Sequence, residues 1–279
     1  MGKKTSKIKV ALLQMNSGED VSKNVQFIFD NLEKMKSHGP MPRLVCTPEN
    51  SLFMRAGEGT EIKFLKPDAT EIKSLCDWCK INNTNLHLGS LPLELPEGKF
   101  NSSLLLRADG SFEASYQKMH LFDIHLKDQK PIRESDVFTH GAQPSVFEID
   151  GWKFGQTVCY DIRFGELYQH YSHASVDVIL IPAAFLVTTG RAHWEILLRA
   201  RAIENQAYVL ASAQSGLHTG ATGKTRRIFG YTMAIDPWGY VAYQNPAELT
   251  YGIIELDEAR LAEVRAQIPM SSHRRDFFR

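Results

Sequence analysis

Short apolar runs suited to buried strands alternate along the whole chain with segments whose apolar residues recur at helical spacing, which confines the fold to the α/β class. Lys9-Val10-Ala11-Leu12-Leu13-Gln14-Met15 is the first such run. Residues 21–35 then set Val25, Ile28, Phe29 and Leu32 on one helical face, until His38-Gly39-Pro40 stops the helix. A short strand ends in Pro48-Glu49, and a helix over 69–81 carries Ile72, Leu75, Cys76 and Cys79 inward. Residues 86–91, 103–106 and 112–116 read as strands, the last two joined by the turn Ala108-Asp109-Gly110.

The second half repeats the rhythm. Residues 146–149 and 153–160 pair around Asp150-Gly151, a helix starts near Phe164, and 176–182 is a β-branched strand. A helix over 192–206, strands over 208–213, 233–236, 241–244 and 252–256, and a helix over 257–266 complete the set. Antiparallel pairs mixed with βαβ units predict two sheets with helices outside rather than a barrel. No linker or solenoid repeat divides the chain, so one domain over 9–279 is expected, preceded by a flexible polar leader over 1–8.

Charge and motif content narrow the function. Lys plus Arg equals Asp plus Glu, 32 against 32, and no basic stripe stands out, which argues against a nucleic-acid partner. No GxGxxG or Walker pattern occurs. The four cysteines are too few for a disulfide scaffold in 279 residues, so free thiols in a reducing, cytoplasmic compartment are expected. No run approaches the roughly 20 apolar residues of a membrane helix, and no membrane partner is expected. Met1-Gly2-Lys3-Lys4-Thr5-Ser6 fits a loose N-myristoylation pattern, but a polar leader explains it as well. Asn82-Asn83-Thr84 and Asn101-Ser102-Ser103 match the glycosylation triplet, which carries no weight in a cytoplasmic chain. Cys76-Asp77-Trp78-Cys79 falls within a helical pattern and lacks further ligands at zinc spacing, so core packing is its expected role.

Three residues at predicted strand ends could carry chemistry. Cys159 lies at a strand-to-helix turn, where a helix N-terminus favours the thiolate, and the following amide, that of Tyr160, could donate to an oxyanion. The position alone leaves a buried structural thiol equally open. Glu49 follows an apolar strand and a proline, where a carboxylate facing a cleft is poorly hydrated and suits a base. Lys118 sits among apolar neighbours and could stabilise negative charge growing on a carbonyl oxygen. Together they form an acyl-transfer set. A cysteine–histidine pair is the rival arrangement, but no histidine stands in a cysteine-protease signature.

Pro48-Glu49, Lys118-Met119-His120-Leu121-Phe122 and Cys159-Tyr160-Asp161-Ile162-Arg163-Phe164 resemble, in type and order, the signature blocks of the carbon–nitrogen hydrolase (nitrilase) superfamily. Thr189 to Glu195, Arg199 to Gln206, Asp236-Pro237-Trp238-Gly239 and the stretch from Gln267 to Arg275 resemble its amidase branch. The resemblance implies a four-layer α-β-β-α sandwich and a cofactor-free, metal-free hydrolase that cleaves a small-molecule carboxamide to carboxylate and ammonia through a Cys159 thioester. Glu49 would be the base and Lys118 the oxyanion stabiliser, with Glu134 orienting Lys118 or the attacking water. Arg163 would clamp a substrate carboxylate, with Phe53, Phe185, Thr189 and His193 as pocket walls. Family members associate, so a homodimer or larger homo-oligomer is expected. Gly165 stands where the family usually has proline, and the loop over 218–227 has no evident role. The blocks leave open N-carbamoyl amino-acid hydrolysis, a nitrilase proper, or a non-catalytic binding protein on the same fold.

Overall fold

A computed structural model describes residues 4–57, 60–125 and 131–275. In chain order the first half holds β1 (Lys7–Leu13), α1 (Val21–His38), β2 (Leu44–Cys46), α2 (Thr70–Asn82), β3 (Asn85–Leu95), β4 (Gly98–Leu106) and β5 (Phe112–Gln117). A two-residue ladder of β6 (Asp123–Ile124) and β7 (Ile132–Arg133) follows. The second half holds β8 (Val146–Ile149), β9 (Trp152–Gln156), α3 (Gly165–His173), β10 (Val178–Leu180), α4 (Val187–Asn205) and β11 (Tyr208–Ala211). The hairpin β12 (Ser215–Thr219) and β13 (Thr225–Phe229) precedes β14 (Thr232–Ile235), β15 (Val241–Asn245), β16 (Tyr251–Asp257), α5 (Glu258–Gln267) and α6 (Met270–His273).

Two six-stranded sheets result, one in the order β16-β1-β2-β3-β4-β5 and the other β15-β14-β11-β10-β9-β8. Each has a parallel centre, β1-β2-β3 and β9-β10-β11, extended by antiparallel strands. Strand periodicity of two explains the layering. Val10 and Leu12 join Phe154, Leu180 and Leu210 in the core between the sheets. Ala11 and Leu13 instead meet Ile28 and Leu32 of α1 and Ile72 and Leu75 of α2. On the far side, α3 and α4 cover the second sheet through Leu167, Tyr168, Trp194 and Leu198. The expected α-β-β-α sandwich is the fold. No described helix is long and apolar enough to cross a membrane.

Several boundaries differ from expectation. Ordered packing starts inside the segment read as a leader: Ile8 is in the inter-sheet core, and the Trp152 indole donates to the Thr5 carbonyl at 3.0 Å. Lys4 pairs with Asp177 at 2.7 Å. The Met1-Gly2 pattern lies outside the described residues. Helix α4 starts at Val187, five residues early, because Thr188, Thr189 and Gly190 have poor helix propensity and read as loop. Gly190 has a packing reason, since a Cβ there would collide with the Phe229 ring. The segment over 218–227 lies within the β12–β13 hairpin rather than a loop. The Cys76/Cys79 pair packs in the α2 core as expected, and burial pushes Cys79 up to about 12.

Candidate active site

The two sheets converge at one end of their parallel strands. A Cβ at Gly89, on β3, would collide with the Thr47 carbonyl beyond β2 and with Pro182 beyond β10, so glycine permits this close approach. Glu49 lies three residues past β2 and Lys118 directly past β5, both on the first sheet. Cys159 lies past β9 on the second sheet, at the start of a 3₁₀ turn, Cys159–Arg163. It has a left-handed backbone (φ 49°), and its N–H donates to the Pro182 carbonyl at 2.9 Å. A non-glycine residue held there is strained by roughly 1–3 kcal/mol, a feature that clusters at functional sites.

Glu49, Lys118 and Cys159 are 4%, 2% and 7% exposed. The Lys118 ammonium donates to Glu49 Oε1 and to Glu134 Oε2, both at 2.8 Å. The Asn101 amide donates to the same two carboxylates, at 3.1 and 2.9 Å. The Ala184 N–H donates to Glu49 Oε2 at 3.0 Å, and the Phe122 N–H to Glu134 Oε2 at 2.7 Å. Lys118, Glu49 and Glu134 therefore each have partners, as burial of a charge demands. Although burial opposes the charge on Lys118, Glu134 and Glu49 outweigh it and hold its pKa well above the ordinary lysine value.

Cys159 departs from the expectation of a ready thiolate. Burial first, and then the Glu49 carboxylate beside it, push the thiol well above its ordinary value, against the weaker pull of Lys118 and the Ala184 amide. Helix α3 begins only at Gly165, so its N-terminus does not reach the sulfur directly. A thiol raised in this way beside a carboxylate is the arrangement for proton removal during attack.

Sequence reasoning missed the residues that brace this set. Asp161, fully buried, accepts from the Val158 N–H (2.8 Å), the Tyr116 hydroxyl (2.8 Å) and the His120 N–H (3.0 Å). It thereby ties the Cys159 turn to the segment carrying Lys118. Arg201 of α4 donates twice to the Ile162 carbonyl, at 2.9 and 2.8 Å, holding the other end of the turn. Asn101, read only as a glycosylation triplet, is 1% exposed and cannot serve as an acceptor site. Asp161 and Arg201 stood within the quoted motifs, but their partners are distant in sequence.

A cavity of about 580 Å³ opens over Cys159, lined by Glu49, Lys118, Glu134, Tyr160 and Arg163. Phe53, Phe185 and Thr189 line it, while His193 is instead 3.2 Å from the Arg163 guanidinium. Arg163 lies over the Phe185 and Tyr160 rings, 5.4 and 5.8 Å from their centroids, which fixes a cation against aromatic faces. Three further arginines line the cavity: Arg55, from the loop after Glu49, Arg133, exposed on β7, and Arg226, from β13.

Comparison with known proteins agrees with the geometry. Residues 9–266 match the carbon–nitrogen hydrolase family model. The chain is 38% identical to the deaminated glutathione amidase of Yersinia enterocolitica, covering 95% of this chain and 92% of that one. It is 31% identical to the enzyme of the same name from Dictyostelium discoideum, covering 96% and 94%. Nit3 of Saccharomyces cerevisiae, of branch 10 of the nitrilase superfamily, superposes with a TM-score of 0.83 at 25% identity, over 99% of this chain and 100% of that one.

Proposed function

The chain belongs to the carbon–nitrogen hydrolase family, and from that premise we propose that it hydrolyses a small anionic amide through a Cys159 thioester, as a deaminated-glutathione amidase or ω-amidase does. It is a hydrolase of carbon–nitrogen bonds other than peptide bonds. The observation that carries the mechanism is the Glu49–Lys118–Glu134 contact set, at 2.8 Å on both sides of the ammonium, against the Cys159 thiol.

Glu49 takes the thiol proton as the sulfur attacks the amide carbon. Lys118 and the Tyr160 backbone N–H hold the oxyanion. The tetrahedral intermediate collapses to a thioester, and the leaving amine takes the proton from Glu49. The same carboxylate then activates water, whose attack releases the acid and restores the thiol. Glu134 keeps Lys118 aimed at the oxyanion, and Arg163 pairs with a substrate carboxylate. Ammonia is the leaving group only for a primary amide; the scissile amide of deaminated glutathione is secondary and releases the amine of cysteinylglycine.

The reading includes a reducing cytoplasmic setting, supported by four unpaired cysteines, one of which must remain a thiol to act. It also includes a homodimer or larger homo-oligomer. Exposed Ile196 and Ile203 on α4, with Trp238 and Tyr240 nearby in the β14–β15 turn, supply an apolar face for association. The test is turnover of deaminated glutathione, followed as new primary amine, and of α-ketoglutaramate, followed as ammonia. Turnover of either is expected from the native sequence and its loss from Cys159→Ala. Lys118→Ala should lower kcat by roughly two orders of magnitude or more while the fold survives. Unchanged turnover in Cys159→Ala would remove the thiol from the mechanism.

A further inference from the structure

The cavity holds more positive charge than the proposed chemistry uses. Lys118 is matched by its two glutamates and Arg133 is exposed to solvent, but Arg55 and Arg226 make no ion pair with a carboxylate among the described residues. Both are half-buried. Burial, and then the nearby Arg55 guanidinium, push Arg226 below the ordinary arginine value, with Glu49 opposing. Beyond the glutamates of the Lys118 set, the one acidic residue in the lining is Asp136, which is exposed at the surface. Two like charges held together in a partly desolvated site carry a repulsion that an anion placed between them would relieve.

The backbone presents this pair deliberately. Arg226 sits opposite His218 in the β12–β13 register, and His218 is buried with its ring 2.8 Å from the Ser17 carbonyl, anchoring the hairpin. Gly57, two residues past Arg55, lies so close to Lys224 that a Cβ would approach that side chain to 2.7 Å. Loop and hairpin are therefore packed face to face. From Arg226 the cavity continues, past Gly57, Ile132 and Leu186, into an open groove walled by Lys224 and Arg227. Arg163, by contrast, stands on the nucleophile turn itself.

We propose that Arg55 and Arg226 form a second carboxylate subsite, distinct from Arg163, that binds the acid group on the leaving-amine side of the substrate. This deepens the proposed function and rests on it for the position of the scissile bond. It assigns the enzyme to secondary amides with an acid at each end, such as an α-keto acid joined to a short peptide ending in a free carboxylate. The guanidinium fork suits that group through paired N–H donors, where lysine would act only as a point charge. After the amine half departs with its carboxylate, the groove gives it a route to solvent ahead of the attacking water.

The experiment has a binding arm and a turnover arm. Binding is measured by calorimetry on Cys159→Ala with deaminated glutathione (two carboxylates) and α-ketoglutaramate (one). Adding Arg226→Gln or Arg55→Gln should weaken the two-carboxylate ligand about tenfold to a hundredfold and the one-carboxylate ligand far less, with Arg226→Lys restoring part of the loss. With Cys159 intact, the ratio of kcat/KM for the two substrates should shift by the same factor, mainly through KM. Equal weakening of both ligands, or of neither, overturns the subsite. If the native sequence turns over neither compound while the binding difference holds, the activity assignment falls and the subsite stands.

Discussion

Glu49 has two opposed effects on Cys159. As a base it accepts the thiol proton during attack; as a resting negative charge it makes that proton harder to lose. Glu49→Gln should therefore leave Cys159 more acidic and the enzyme inactive at once. The rate of Cys159 alkylation by iodoacetamide against pH would show its rise moved to lower pH, while amide turnover vanishes. A rise moved to higher pH would contradict the assigned pairing. Glu49, Lys118 and Cys159 were legible in the sequence because each stands in a short block at a strand end, with the same neighbours its chemistry needs. Asp161 stood in one of those blocks and remained silent. Its role depends on Tyr116 and His120, more than 40 positions away, and no local pattern records such a contact.

At the scale of elements, the joint between the nucleophile turn and α3 offers a direct test. Gly165 is the first residue of α3, preceded by Phe164 in an extended conformation (φ −105°, ψ 94°). That is the first helical position, where proline's fixed φ and missing N–H cost nothing, and an extended residue before it is what proline requires. A Cβ there would meet only the Arg201 guanidinium, at 3.6 Å. Gly165→Pro should stabilise the protein by about 0.4–1 kcal/mol, chiefly by restricting the unfolded chain, and raise the unfolding temperature by about 1–4 °C. A lowered unfolding temperature would mean that the turn depends on the glycine backbone. Element existence was readable from periodicity; several boundaries were not. Helix α4 overrode its own poor formers because Trp194 and Leu198 bury on the second sheet, and tertiary burial outweighs propensity. The β12–β13 hairpin escaped notice because Gly, Thr and basic residues give its strands no alternation to read.

For the whole molecule, the interface between the sheets buries a histidine. His87 on β3 faces β9, its Nε2 3.0 Å from the Gln156 side-chain oxygen, and its Nδ1 has no partner among the described residues. Burial lowers its pKa from 6.5 to about 4, against a smaller opposing contribution from Gln156. The folded value lies below the unfolded one, so protonation favours the unfolded chain. The stabilisation is fully present above about 6.5 and is lost as pH falls towards 4, by roughly 3 kcal/mol. His87→Gln should flatten that part of the curve of denaturation midpoint against pH between 6.5 and 4. An unchanged acid limb would place the loss elsewhere.

The first sheet is completed by β16, which pairs with β1 from Lys7↔Asp257 to Leu13↔Tyr251, nearly 250 positions apart. During synthesis, Glu49, Lys118 and Cys159 all leave the ribosome well before the strand that covers the open edge of β1. The nascent chain thus exposes its nucleophile for the time needed to add about a hundred residues, several seconds or more at ordinary elongation rates, before its layers can lock. Neither burial nor Glu49 raises the thiol's pKa during that interval, so Cys159 then has the reactivity of an ordinary thiol. The surroundings that make Cys159 depend on Glu49 for catalysis also shield it from electrophiles, and that shield arrives only once the layers close.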